Sequence, residues 1–204
     1  MREKRMSPVK KTAIKPRMSS ASRDQIAELL GRSGLPAGTP QTNAFSVLAH
    51  APAIGAQALR LVLALMTETA LDPKLRELVI LRTVQRCNGQ YAWVQHVAIA
   101  KSVGVNYGQI MALECGEAPA VLFTQRERTA FRLADDIVDT ACATGATLSA
   151  IRHEFSEREV VELLLLIGYF RMICGVMSTL EVRIEPPFGL QVLDLACQSA
   201  WQCE

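Results

Sequence analysis

This chain predicts an all-α fold, and three observations carry that reading. Half of its 204 residues are hydrophobic but only 5% are aromatic, a mix dominated by Ala, Leu, Val and Ile that favours packed helices over sheet. The apolar residues recur with helical spacing along nearly the whole chain, and no strand-like alternation persists. Start and stop signals punctuate that pattern at regular intervals. The length suits one domain with a sizeable core.

In chain order, Ser22-Arg23-Asp24-Gln25 opens a short helix to Leu30, and a Gly/Pro loop follows from Gly34 to Pro40. Asn43 is placed to cap a helix from Ala44 to His50, and Pro52 suits the first turn of a segment ending near Glu68. Asp72-Pro73 repeats that signal for a helix ending near Asn88-Gly89. The next runs from about Gln90 to Ser102 and stops at Gly104. Asn106 caps a helix to Leu113. Thr124 to Glu127 has capping-box spacing and opens a helix to about Thr144, and Thr147 begins another that ends at Phe155. Ser156 to Glu159 is a second capping box, leading a long helix to about Val182. Pro186-Pro187 breaks the pattern, and the tail from Phe188 is ambiguous. The organisation expected is a basic, disordered arm over 1–20, one helical domain over 21–187 and a C-terminal tail over 188–204.

Charge excludes several partners. The formal net charge is +2, with +6 concentrated in residues 1–17 and −4 left for the rest. Lys and Arg form no helical stripe interleaved with aromatics, so nucleic acid is not expected as a partner. The basic start lacks an apolar core and does not read as a secretory signal. The most apolar stretch, Val160 to Leu180, is interrupted by Glu162 and Arg171 and reads as a buried helix, so no membrane partner is expected. The six cysteines, at 87, 115, 142, 174, 197 and 203, form no C-x-x-C pair and have no zinc-site spacing. Reduced thiols in a cytoplasmic protein are the expectation, with Cys197 and Cys203 near an exposed end.

The chemistry concentrates in two adjacent helices. Between Leu75 and Cys87, apolar residues at 75, 78, 79, 80, 81 and 84 cover most of a helix circumference, so this helix is central. Glu77 stands in that run, while Arg76 and Lys74 are placed to reach water. Burial disfavours a charged carboxylate, which is one way to prepare a general acid or proton relay; the bland reading is an ion pair with Arg82 or Arg86. His96 follows on the next helix, near Tyr91 and Trp93. An imidazole can take and return protons at neutral pH, and a carboxylate can fix its tautomer. A lone histidine there is otherwise a core or interface residue. There is no phosphate-cradling glycine loop, no G-x-S-x-G, no H-E-x-x-H and no acidic metal loop, and neither cofactor nor metal is expected.

These residues resemble a family. L-D-P-K-L-R-E-L-V-I-L-R, followed by N-G-Q-Y-A-W-V-Q-H-V-A-I-A-K-S-V-G-V, is similar to the carboxymuconolactone decarboxylase family, whose superfamily includes the AhpD-type alkylhydroperoxidases. The resemblance is strongest from about Leu71 to Leu113 and weaker over Asn43 to Leu65 and Phe123 to Val182. It implies an AhpD-like helical bundle that assembles as a trimer, or a hexamer built from trimers, with a pocket near Glu77 and His96. The peroxidase branch carries N-C-x-Y-C-x-x-x-H. Its two cysteine positions are Gly89 and Ala92 here, and Cys87 alone cannot replace a pair. Many decarboxylase-like members have Glu at the position of Ala92.

The function expected is a cofactor-free acid/base enzyme acting on a small organic acid, lactone or polyketide-like intermediate, by decarboxylation or a related lyase or isomerase step. In it His96 is the general acid or base and Glu77 orients it or relays the proton. Tyr91 donates a hydrogen bond, Trp93 shapes the wall, and Arg82 balances Glu77, meets a substrate carboxylate or serves as a helix salt-bridge partner. The alternatives are a non-catalytic helical oligomer that binds a ligand or partner, and a one-cysteine redox role for Cys87.

Overall fold

The computed structural model describes Met6, residues 16–36 and residues 38–200, with the side chains of residues 196–200 excepted. Most of the basic arm, the Cys197 side chain and Cys203 lie outside the described residues. Ten helices and no strand occur among the described residues: α1 (Arg23–Ser33), α2 (Asn43–Leu48), α3 (Pro52–Thr67), α4 (Pro73–Arg86), α5 (Gln90–Ser102), α6 (Tyr107–Glu114), α7 (Gln125–Thr140), α8 (Gly145–Glu154), α9 (Glu157–Thr179) and α10 (Gly189–Ala200).

Helix α4 is the axis of the molecule. Every residue from Leu75 to Gln85 is buried, because α5, α6, α7 and α9 all pack around it. Its apolar residues Leu78, Val79, Ile80, Leu81 and Val84 are wholly inaccessible, each contributing roughly 1.5–3 kcal/mol of burial. Arg76, expected to reach water, is buried as well. A smaller cluster joins α1, α2 and α3 through Leu29, Leu30, Phe45, Ala56 and Leu59. Gly55 makes that closeness possible: a Cβ there would stand 2.5 Å from the Leu48 carbonyl oxygen and 2.9 Å from Leu29.

The turn between α4 and α5 sets the site. Asn88 takes a left-handed φ of 53°, its amide bonds to the Gln85 carbonyl and the Gly89 amide to that of Val84. This paired closure is a Schellman motif, and it starts α5 antiparallel to α4 with little slack. The two predicted capping boxes at Thr124/Glu127 and Ser156/Glu159 are formed, as are two more at Ser22/Gln25 and Asn106/Gln109.

Several boundaries differ from the sequence reading. Helix α7 stops at Thr140 because Ala141 adopts a left-handed φ of 60°, and Thr144, not Thr147, caps α8. Thr42, not Asn43, caps α2, which frees Asn43 for a contact described below. The ambiguous tail contains α10, packed on α3 and α5. Among the described residues, α9 alone has the length and apolarity of a membrane span. Its inner face is nevertheless core, with Leu163, Leu166, Ile167 and Phe170 buried.

Candidate functional site

Glu77 and His96 meet. The turn at Asn88-Gly89 brings the middle of α5 against the start of α4, and Glu77 Oε2 lies 3.0 Å from His96 Nδ1. Glu77 is completely buried, and its second oxygen, Oε1, has no hydrogen-bond partner among the described residues. The His96 side chain keeps 12% of its surface exposed. Its ring stands edge-on to Phe170 of α9, with centroids 4.7 Å apart, which fixes the imidazole plane.

His96 opens onto a cavity of about 150 Å³. Five elements build it: α2 with Phe45 and Leu48, α3 with Leu59 and Met66, α5 with Tyr91, Ala92, Gln95, His96 and Ile99, α9 with Tyr169, Phe170 and Ile173, and α10 with Val192 and Leu193. Among the described residues, the polar groups in its wall come from Thr42, Tyr91, Gln95, His96 and Tyr169, and no Lys or Arg lines it. Glu77 stays behind His96, outside the lining. With Nδ1–H donated to the carboxylate, Nε2 carries the lone pair and is the ring nitrogen left for a ligand. An open groove of about 730 Å³ lies elsewhere, on the outer face of α9, with Arg171 as its charged wall residue. It holds no carboxylate or imidazole, so the smaller cavity is the candidate site.

Tyr91 reaches the cavity, but its hydroxyl is already committed. It donates to Glu185 Oε1 at 2.5 Å and accepts from the Ala44 amide at 3.1 Å. Burial first, and then the adjoining Glu185 carboxylate, push the Tyr91 hydroxyl well above the ordinary tyrosine range. Asn43 donates through its amide and its side chain to the same carboxylate, at 3.2 and 2.7 Å. Gln95 accepts from the Phe188 amide at 3.0 Å. Tyr91, Asn43 and Gln95 therefore pin residues 185–188 and seat α10 over the cavity.

Arg82 is not at the cavity, nor does it balance Glu77. Its Nε and Nη2 hold Asp135 of α7 in a fork, both at 2.8 Å, and Nη1 donates to the Gly116 carbonyl at 2.7 Å. Arg86 likewise turns to Asp135 and Asp139. At about 100° per residue, positions 82 and 86 lie roughly 140° and roughly 180° around the helix from position 77. Trp93 is buried in the core and lines no part of the cavity. The cavity face of α5 carries residues 91, 92, 95, 96 and 99, and position 93 falls past its edge.

Three residues that the sequence reading missed belong here. Tyr169 lines the cavity, and no hydrogen bond of its hydroxyl is found among the described residues; burial raises it well above the ordinary tyrosine range. Its signal was a phenol inside the run Leu163 to Phe170. Gln95 stands in the motif beside His96 and passed unassigned. Glu185, just before Pro186-Pro187, had no periodicity to reveal it.

Comparison with known proteins bears on the fold that holds this cavity. Residues 52–136 match the model of the Carboxymuconolactone decarboxylase family. No protein of curated function matches the chain. Among solved structures, an uncharacterized peroxidase-related protein from Ralstonia eutropha JMP134, described as an alkylhydroperoxidase AhpD core, superposes with a TM-score of 0.66 at 19% identity, covering 87% of this chain and 96% of that one. The debrominase Bmp8 in its apo form gives 0.66 at 14% identity, over 87% and 96%. A peroxidase-related protein from Silicibacter sp. TM1040 gives 0.60 at 18% identity, over 69% and 76%. These likenesses establish the fold. Residues 52–136, less than half of the chain, thus match the carboxymuconolactone decarboxylase family, and the fold is an AhpD-like helical one.

Proposed function

We propose that this protein is a cofactor-free enzyme that moves a proton on a small, largely apolar cyclic substrate, with His96 as the general base and acid. The observation that carries it is the buried Glu77–His96 pair at 3.0 Å, with the imidazole facing an apolar cavity. Glu77 holds the proton on Nδ1, so Nε2 can take a proton from substrate carbon. Glu77 then stabilises the imidazolium until the proton returns. Tyr169 supplies the hydrogen-bond donor for the oxygen that gains charge, the role expected of Tyr91 from sequence.

Size and charge narrow the substrate. A cavity of about 150 Å³ is of the order that encloses one benzene-sized ring. A wall to which the described residues bring no Lys or Arg disfavours a free carboxylate, whose burial needs a partner. A lactone, enol lactone or cyclic ketone fits better, with isomerisation or exchange beside the carbonyl as the step. Decarboxylation requires the substrate carboxylate to pair with protonated His96. A debrominase of this fold crystallised with 2,3,4-tribromopyrrole, a single ring, is consistent with that size class.

The test is proton exchange. A panel of butenolides, cyclic ketones and their carboxylated counterparts would be incubated in D2O and followed by NMR, together with CO2 release. The folded protein should catalyse deuterium uptake beside a carbonyl, and His96→Gln should lose it while still binding the ring. Equal exchange by His96→Gln would refute the assignment. Ring binding with no exchange or CO2 release by the native protein would favour the second reading, a ligand-binding oligomer, to which the apolar wall and the occupied Tyr91 hydroxyl also lend themselves.

A further inference from the structure

Helix α10 is held differently from the other nine. Each of α1 to α9 has at least one buried residue, whereas none of the described side chains of α10 is buried. Leu190 and Leu193 rest half-buried on the main core and Val192 on the smaller cluster. The helix thus bridges the two clusters across the cavity that its Gly189, Val192 and Leu193 help to line. The strap leading to it, residues 182–188, has no regular secondary structure and is tied down by polar bonds. The Glu185 carboxylate accepts from the Tyr91 hydroxyl at 2.5 Å, the Asn43 amide at 3.2 Å and Asn43 Nδ2 at 2.7 Å. Asn43 Nδ2 also donates to the Arg183 carbonyl at 2.9 Å, and Gln95 Oε1 accepts from the Phe188 amide at 3.0 Å. The strap begins beside a fixed point, since Glu181 takes a left-handed φ of 49° and is paired with Arg17 at 2.8 Å.

We propose that the strap and α10 form a lid over the cavity, latched by Glu185, which lifts from the otherwise folded protein to admit a small ring. Its role in turnover presupposes that this cavity is the active site. Half-buried apolar contacts supply only part of the stabilisation of full burial, and a segment held by them opens at lower cost than the core. The directional bonds to Glu185 therefore carry much of the closure. They are concentrated on one charged carboxylate, where hydrogen bonds are strong, and water can replace them when the strap lifts. Opening α4 or α9 instead would expose side chains that are wholly inaccessible, such as Leu78, Ile80 and Ile167. With the lid down, the His96 side chain keeps 12% of its surface exposed, which leaves a ring little room to approach Nε2. Two of the groups that hold the strap, Tyr91 and Gln95, also line the cavity. The latch and the ligand space thus share a wall. Closure over a bound ring would exclude water from the imidazole and strengthen its pairing with Glu77.

The full-length protein, Glu185→Ala and Asn43→Ala would be compared by two measurements that need no substrate. One is amide hydrogen exchange read by peptide mass spectrometry. The other is carbethoxylation of His96 by diethyl pyrocarbonate, with the exposed His153 as the control for reagent. In the native protein the amides of α10 should exchange well ahead of those of α4 and α5. Each variant should speed both α10 exchange and His96 modification by about tenfold or more, the factor expected for lost hydrogen bonds to a charged group. Exchange in α4 and α5 and modification of His153 should stay at native rates. Asn43→Ala releases the latch from the α2 side, where Thr42 still caps the helix, and so serves if Glu185→Ala does not fold. The lid is refuted if α10 exchanges in step with α4 and α5, or if both variants modify His96 at the native rate. Loss of protection throughout α4 and α5 in both variants refutes it equally, since the strap would then belong to the global core. A native protein inactive in the deuterium-uptake assay leaves these rates untouched, so the lid and the proton chemistry can fail separately.

Discussion

Glu77 Oε2 sits 3.0 Å from His96 Nδ1, while its sister oxygen is buried without a partner among the described residues. All of the carboxylate's hydrogen bonding therefore passes through one imidazole. Such a residue serves its partner's orientation and charge, since it has no other tie to the fold. Glu77→Gln keeps an acceptor for Nδ1–H but cannot balance an imidazolium. It should lower the exchange rate by about 10²–10⁴-fold while leaving the melting temperature unchanged or slightly raised, because a buried charge has been removed. Undiminished turnover in this variant would leave Glu77 a packing residue.

Tyr169→Phe separates the two phenols of the cavity. If Tyr169 meets the developing oxyanion, kcat/KM should fall about 10²-fold with the fold intact. Tyr91→Phe should affect ring binding less than stability, because its hydroxyl ties Glu185 to the Ala44 amide. Steady-state kinetics on both variants, beside urea denaturation, check the split.

The two raised tyrosines also predict alkaline behaviour. Tyr91 and Tyr169 are both held protonated by the fold, whereas in the unfolded chain a tyrosine ionises near pH ~10. Above that pH the unfolded state sheds protons that the native state keeps, so stability present below it should decline steadily as pH rises. Tyrosinate absorbance from these two residues should appear only with unfolding, and Tyr91→Phe should make the decline shallower. Ionisation of both phenols in protein that remains helical would contradict this account.

Arg82 is expected to act on stability alone. Its fork to Asp135 and its bond to Gly116 anchor α7 and the end of α6 to the central helix. Arg82→Met strands Asp135 beside Arg86 and should cost about 3 kcal/mol in urea denaturation, with turnover per folded molecule unaltered. A selective loss of kcat would return Arg82 to the site.

At Gly89, alanine meets no backbone obstacle, since φ is −82°, but its Cβ collides with Cys174. Gly89→Ala should therefore destabilise the protein by roughly 1–3 kcal/mol through overpacking. Combining it with Cys174→Ala should recover most of that loss. Thermal melts of the single and double variants decide it.

The helices and the Glu77–His96 pair were legible in the sequence because both rest on local signals. Capping boxes act over three residues, and a carboxylate in a fully apolar helical run announces burial without knowledge of the partner. Helix phase explains the errors on those same helices. Arg82 stands close to Glu77 in sequence but about 140° away in angle, and Trp93, about 60° from His96, falls past the edge of the cavity face. Asp135, Tyr169 and Glu185 were illegible for another reason. Asp135 and Glu185 reach their partners across at least 50 residues, and Tyr169 meets the cavity from a separate helix, where no spacing rule connects a side chain to the element it will meet. Asn43 illustrates the cost of local reasoning alone, since its cap-like position was taken by Thr42 and its side chain went to Glu185.

The clamp on Glu185 has a bearing on how the protein comes into being. Tyr91 and Asn43 wait for a partner 94 and 142 residues further along the chain, and the cavity's last wall is α10. During synthesis the Glu77–His96 pair can form as soon as α4 and α5 emerge, yet it would face an unfinished hollow open to water. The cavity closes only when the residues beyond Glu185 leave the ribosome. The proposed acid/base pair is thus encoded ahead of the wall that encloses it.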